Sequence, residues 1–235
     1  MVSTASVTLP PGQRRINGFP RFGSHFHHPP PDIPDAPAIE IGGAVTEPFT
    51  VPLVELATLP RCEITADFHC VAGWSATGLR WEGVAFETFY RLVILPSVPA
   101  DASITHVVFE GLDGYRSIAL IEDALAEDVL IAEQLDDRPL DDNHGAPVRL
   151  VSPRQYGFIS TKHLCRIEVH PAAPAERYHP SALVQTGLQL AKPHRRARVW
   201  HEERHRYLPP KAVRFVYGNL IPAIRTLSAH RRPRP

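Results

Sequence analysis

Twenty-five prolines distributed through 235 residues set the first limit on this fold. Proline lacks a backbone N–H and clashes with the preceding helical turn, so long helices are excluded over most of the chain. Fourteen glycines add further breaks, and the runs between them are rich in β-branched and aromatic residues that suit strands. The expected class is α+β, a β-rich fold with short helices, rather than a helical bundle.

The length and a hydrophobic content of 43% suit one core, read as one domain with tails. Residues 1–36 are loop-like, 37–170 form the domain, and 171–235 form a basic C-terminal extension. Strands are expected at Ile39–Ile41, Phe49–Val51, Cys62–Phe68, Thr105–Glu110, Tyr115–Leu120, Val129–Leu135 and Lys162–Val169. The apolar spacing of Phe86, Phe89, Tyr90 and Val93 predicts an amphipathic helix over 84–93 with an aromatic core face. Pro209, Pro210 and Pro222 argue against one long C-terminal helix. The N-terminus lacks an export signal, and no apolar run is long enough to span a bilayer. A cytoplasmic location is expected.

The net charge of zero conceals a division. Through Leu150 acidic residues outnumber basic ones by 21 to 9, and from Val151 onward basic residues lead by 16 to 4. The halves can attract one another, or the basic one can dock an anionic partner. No nucleic-acid motif is present, so no specific nucleic-acid partner is expected; the basic residues past His194, with Trp200, Tyr207, Phe215 and Tyr217 among them, could track nucleic acid or an anionic membrane surface, and equally could wrap the acidic half, dock a redox partner or hold a dimer together. Cys62, Cys70 and Cys165 leave an odd thiol under any pairing, and no Cys-x-x-Cys spacing marks a zinc or iron–sulfur site. Cys62 and Cys165 read as small core residues. His25, His27 and His28 precede three prolines and read as a solvated loop.

Two stretches carry chemistry. In Asp67-Phe68-His69-Cys70-Val71-Ala72-Gly73-Trp74-Ser75, polar and apolar residues alternate up to a thiol, and a glycine then turns the chain around it. His69, Trp74 and Tyr156 are the candidate pocket lining. In His144-Gly145-Ala146-Pro147-Val148-Arg149, followed by Ser160-Thr161-Lys162, a fixed guanidinium, hydroxyl donors and an ammonium suit a phosphate or a pyrophosphate-linked nucleotide.

The Cys-Val-Ala-Gly-Trp-Ser run from Cys70, with Trp81-Glu82-Gly83-Val84, resembles the catalytic domain of the sulfite oxidase superfamily of molybdopterin enzymes. The resemblance implies that Cys70 is the protein ligand to molybdenum, since a soft thiolate suits a metal held by dithiolene sulfurs. Asn17-Gly18-Phe19-Pro20-Arg21-Phe22-Gly23 resembles the segment of bacterial relatives that runs along the pterin, with Arg21 and Phe22 at a contact position. Gly111 falls where relatives contact the pterin. His144 stands for a cofactor-binding asparagine, Arg149 for the phosphate-binding arginine, and Ser160, Thr161 and Lys162 for a clamp on the phosphate. Where sulfite-oxidising members carry an arginine pair after the cysteine, this chain has Trp74-Ser75, which resembles the methionine-sulfoxide-reductase branch. The resemblance implies a sulfite-oxidase-type molybdopterin-binding domain and two-electron oxygen-atom transfer on a small-molecule substrate, more in keeping with sulfoxide reduction than with sulfite oxidation. A separate electron-transfer protein is then required, because no haem-attachment motif is present. A metal-free module recruiting a partner through its basic end is the alternative of another class.

Overall fold

The computed structural model describes residues 8–21, 29–175 and 192–217. Eleven strands appear among them: β1 (Arg14–Arg15), β2 (Ala38–Gly43), β3 (Phe49–Pro52), β4 (Arg61–His69), β5 (Trp74–Ala85), β6 (His106–Gly111), β7 (Arg116–Leu120), β8 (Leu130–Leu135), β9 (Arg138–Pro139), β10 (Arg149–Val151) and β11 (Leu164–His170). The helices are short: α1 (Phe86–Phe89), which runs on through a π turn and a 3₁₀ turn, and α2 (Ile121–Ala124). The class is α+β with β dominant, as proline and glycine content implied.

Two sheets organise the domain. One runs β3-β2-β11-β6-β7, and the other runs β1-β5-β8-β10, with β4 along β5 and β9 along β8. Side chains alternate faces along a strand, and β8 shows what this achieves. Ile131 joins the core shared with the five-stranded sheet, whereas Leu130 and Ala132 join a second cluster with Trp74, Trp81, Leu140 and Val151. β10 repeats the division: Leu150 belongs to the first cluster and Val151 to the second. Arg149, two positions from Val151, therefore faces the second cluster. Cys70 lies in that cluster too.

The aromatic residues expected on a helix face are core: Phe86 and Phe89 are fully buried. The helix starts later than periodicity implied, because Val84 still pairs with Ile131 of β8 and β5 continues to Ala85. Gly83 permits that pairing, since a Cβ there would lie 2.0 Å from the Ile131 carbonyl oxygen. β5 itself escaped the sequence reading, its alternation obscured by Gly78 and Gly83. At the other end, the described C-terminal residues are helical over 210–217, with Pro210 at the first position, where a missing N–H costs nothing.

The basic half does wrap the acidic one where it is described. Arg196 pairs with Asp123 at 3.2 Å and with Glu122, and Arg154 with Glu127 at 2.6 Å and Asp128 at 3.1 Å. Such exposed pairs contribute under about 1 kcal/mol each. Within the basic half, buried backbone contacts fix the C-terminal segment: Tyr156 N–H donates to Ala197 O at 2.8 Å, and Ala197 and Val199 are fully buried.

Candidate active site

The sequence places Cys70 at a strand end, and the structure puts it in the turn between β4 and β5. His69 pairs with Ser75 across the hairpin, Cys70 N–H donates to Trp74 O at 2.9 Å, and Gly73 N–H returns to Cys70 O at 2.9 Å. Gly73 adopts φ +96°, and a Cβ there would sit 2.9 Å from Gly12 O. Glycine serves here because the turn needs a left-handed residue and the N-terminal arm passes close by. All three cysteines are free, and Cys70 is 8% exposed. Burial pushes its thiol up to about 12, opposed by a hydrogen bond from the Ala72 backbone and by the Arg204 charge. Without a bound metal the group is a protonated thiol at neutral pH; a soft metal would displace that proton.

The candidate lining residues gather around this turn. His69 is buried, its Nδ1 is 2.7 Å from Ser75 Oγ, Ser75 Oγ donates to Gln13 Oε1 at 3.1 Å, and Gln13 Nε2 donates to Cys70 O at 3.1 Å. Burial holds the His69 imidazole below its ordinary value, with Asp67 acting against that. Trp74 and Tyr156 are buried, and burial pushes the Tyr156 phenol up to about 12. Gly157 N–H donates to His69 O at 2.8 Å, which ties the Tyr156 loop to the cysteine strand.

On the same sheet face, Arg149 is fully buried. Its guanidinium carbon lies 5.8, 5.5 and 5.3 Å from the ring centroids of Phe19, Phe68 and Trp81. Nη1 donates to His144 O at 2.9 Å and Nη2 to Ser160 O at 3.1 Å, so Arg149 fastens together the two loops that carry the other candidates. Among the described residues no carboxylate pairs with it, and burial lowers its pKa to about 9.

His144 holds the N-terminal arm: its Nε2 is 2.8 Å from Phe19 O, its Nδ1 2.7 Å from Asp141 Oδ1, and its ring stacks on Phe19 with centroids 4.9 Å apart. Lys162 donates to Asn143 O at 2.5 Å. Its pKa falls to about 7 through burial and through the charges of Arg149 and Arg21, which outweigh Asp113 and Asp141. Arg21 and Arg149 thus surround Lys162 with positive charge that disfavours its ammonium form, a cationic cluster that a polyanion relieves. Gly111 lies beneath it; a Cβ there would be 2.3 Å from Lys162 O. The Ser160 and Thr161 hydroxyls turn inward. Ser160 Oγ accepts from Ser152 N–H at 3.1 Å, and Thr161 Oγ1 is 2.8 Å from Ser117 Oγ. Phe22, His25, His27 and His28 lie outside the described residues. Among the described residues no three His, Cys, Asp or Glu side chains form a metal-binding group.

The Lys162 value gives a signed prediction. Folded, it releases its proton near 7 rather than near 10.5, so the folded chain binds fewer protons than the unfolded one across that window, and this group's cost to stability is relieved as pH rises through it. An anion seated on the cluster raises the value again. Pyrophosphate titrated at pH 8 is expected to draw up to about one proton per chain from the buffer. Calorimetry in buffers of different ionisation heat will show this as a buffer-dependent enthalpy, lost in Lys162→Met.

One site residue gave no signal in the sequence. Arg204, 134 positions after Cys70, is 1% exposed and sits with its guanidinium carbon 5.1 Å from the Tyr156 ring centroid, close enough to Cys70 for its charge to act on the thiol.

Comparison with known proteins identifies the family. The chain is 31% identical over 136 residues to a putative protein-methionine-sulfoxide reductase subunit of Azospira oryzae, covering 58% of this chain and 50% of that protein. It is 27% identical over 166 residues to an uncharacterised oxidoreductase of Bacillus subtilis, covering 71% and 76%. It is also 32% identical over 177 residues to human mitochondrial sulfite oxidase, covering 65% and 32%. It therefore spans about half of the first of these relatives and about a third of the last. The crystal structure of the sulfane dehydrogenase SoxCD from Paracoccus pantotrophus shares the fold, with a TM-score of 0.51 at 20% identity over 60% of this chain and 40% of that one. The profile of the oxidoreductase molybdopterin binding domain matches residues 26–178, spanning both the Cys70 turn and the Arg149–Lys162 loops, and the chain belongs to that family.

Proposed function

We propose that this chain is a molybdenum–molybdopterin oxidoreductase that moves one oxygen atom to or from a small substrate, in the direction of sulfoxide reduction. The observation that carries the reading is the placement of a soft sulfur donor, Cys70, on the same sheet face as Arg149, whose loops carry a cationic cluster with a displaced ammonium. These are the two chemistries that a metal on a phosphate-bearing organic carrier needs from a protein. The cofactor would supply the two-electron redox couple and the oxygen-accepting metal.

The residues of the chain then have separate tasks. Cys70 would hold the metal as thiolate, assisted by the Ala72 N–H. Arg21, Arg149 and Lys162 would neutralise the phosphate, with His144 and Phe19 alongside the pterin and Gly111 keeping the floor of the cluster low. Ser160 and Thr161 would join the clamp by turning their hydroxyls outward. Phe22 would extend the Arg21 contact. Phe19 lies on Arg149, so the arm 16–21 must shift for a phosphate to reach that guanidinium. Tyr156 and Trp74 would exclude water from the reacting position.

Sulfoxide reduction consumes two electrons and two protons and yields a thioether and water. The electrons would come from a separate electron-transfer protein. Trp74 and Ser75, where sulfite-oxidising members carry arginines, support this direction, as does the Azospira oryzae relative named as a putative protein-methionine-sulfoxide reductase subunit. Arg204 favours a second reading, sulfite oxidation, because it brings a positive charge near the Cys70 thiol. No helix among the described residues is long and apolar enough to cross a membrane; a cytoplasmic location is part of the proposal.

Purified, molybdenum-loaded protein is expected to oxidise two equivalents of a reduced one-electron viologen dye per methyl sulfoxide consumed. Sulfite-dependent dye reduction without sulfoxide turnover would reverse the direction. Absence of both activities in loaded protein would overturn the reading.

A further inference from the structure

We propose that residues 192–217, which lie beyond the family-matched residues 26–178, are part of the active site, and that Arg204 is the residue through which they position the Cys70 turn. The segment is anchored independently of Arg204. Gln155 and Arg198 form a β-bridge, Val199 N–H donates to Arg154 O at 3.0 Å, and Gln155 Nε2 donates to Arg196 O at 2.7 Å, while a second bridge, Pro193 with His205, closes the segment on itself. From this base the chain sends one guanidinium inward. Nη1 of Arg204 donates to Val71 O, the carbonyl that follows Cys70, and Nη2 donates to Pro11 O at 3.3 Å and Gly12 O at 3.1 Å. A single side chain thereby joins three stretches distant in sequence: the N-terminal arm, the cysteine turn and the C-terminal segment. Only the planar arginine fork can span these acceptors at once.

Two further observations set Arg204 apart from a packing residue. Its charge is buried with Glu202 at 4.0 Å, and Glu202 is itself engaged by Arg214 at 2.8 Å, so the guanidinium is incompletely neutralised. Its Nε–H is buried and meets no hydrogen-bond acceptor among the described residues. A buried cation with an unused donor is costly, and its retention beside a thiol fits a task at that thiol. Gly12 leaves room for it and for Arg214: a Cβ there would lie 2.8 Å from Arg204 Nη2 and 2.8 Å from Arg214 Cδ and Nε.

The test uses full-length chain carrying Cys62→Ser and Cys165→Ser, so that Cys70 is the sole thiol. Alkylation of cofactor-free protein by a bulky maleimide is expected to accelerate at least about tenfold in Arg204→Met, because the Val71 carbonyl is released and the turn opens more often. Arg204→Lys, which keeps the charge and one donor, should restore part of the protection. Arg154→Met, which removes an exposed arginine that pairs with Glu127 and Asp128, should leave the rate unchanged. Gly12→Ala crowds the Arg204 and Arg214 side chains without deleting either and should act in the same direction as Arg204→Met, which keeps the test intact if the latter does not fold. A Cys70 rate equal to that of the parent protein in both Arg204→Met and Gly12→Ala overturns the proposal.

The inference meets the proposed function only in a second readout. In molybdenum-loaded protein, Arg204→Met is expected to shift the Mo(V) electron paramagnetic resonance signal while Arg154→Met does not. An unshifted signal in Arg204→Met overturns the positioning role in the loaded enzyme. A parent protein that takes up no molybdenum defeats the proposed function and leaves the alkylation result to decide Arg204.

Discussion

Cys70→Ser is expected to lower bound molybdenum from about one atom per chain to under about a tenth of that, since a hydroxyl is a far poorer partner than thiolate for a soft metal. The fold should survive. The exchanged atom is small, the turn is set by the Cys70–Trp74 and Gly73–Cys70 backbone hydrogen bonds, and the Ala72 N–H remains as a partner for the new oxygen. A hydroxyl in a site 8% exposed costs about 1–3 kcal/mol at most. Metal analysis, pterin fluorescence of the oxidised extract and thermal unfolding of the same preparation check the three parts. A variant that keeps its molybdenum removes Cys70 as the ligand, whatever its activity.

Arg149→Met separates binding from stability. The wild-type guanidinium is buried without a carboxylate, a burden of several kcal/mol that an apolar chain of similar length removes. Against this, His144 O and Ser160 O lose their donors, at about 1–3 kcal/mol each. The opposing effects are of similar size, so unfolding free energy should stay within about 2 kcal/mol of wild type in urea titration. Cofactor retention has no such compensation. The variant loses a cation of the cluster and the fastening between the His144 and Ser160 loops, so pterin content should drop at least about tenfold. Arg149→Lys keeps the charge but cannot reach both carbonyls, and should fall between the two. Full cofactor content in Arg149→Met would show that the guanidinium serves the fold alone.

What the sequence made legible follows the range of the interactions. The Cys70 turn is local: a strand pattern, a glycine and a tryptophan lie within nine positions, and all three features hold in three dimensions. β6, β7, β8 and β11 are likewise visible in short apolar runs. Arg149 stood out through its loop and the resemblance that loop carries, but its aromatic cage did not, because Phe19, Phe68 and Trp81 come from three separated segments. The same holds for the chain from His69 through Ser75 and Gln13 back to Cys70, which depends on β1 lying parallel to the start of β5. Arg204 was hidden most deeply. It stands among many arginines in a stretch with no familiar pattern, and only tertiary packing distinguishes it from its half-buried neighbours. β5 was missed for a related reason: its glycines read as breaks in one dimension and as close contacts in three.

Three residues of β10 serve two masters. Leu150 fills the space between the sheets while Arg149 and Val151 furnish the opposite side. Deleting or inserting a single residue within it would exchange those duties, sending a cation into the greasy interior and leucine into the reactive chamber. Variation in length around this strand is therefore confined to the loops that flank it, and the chemistry of the protein is tethered to the integrity of its scaffold by a shift of one position.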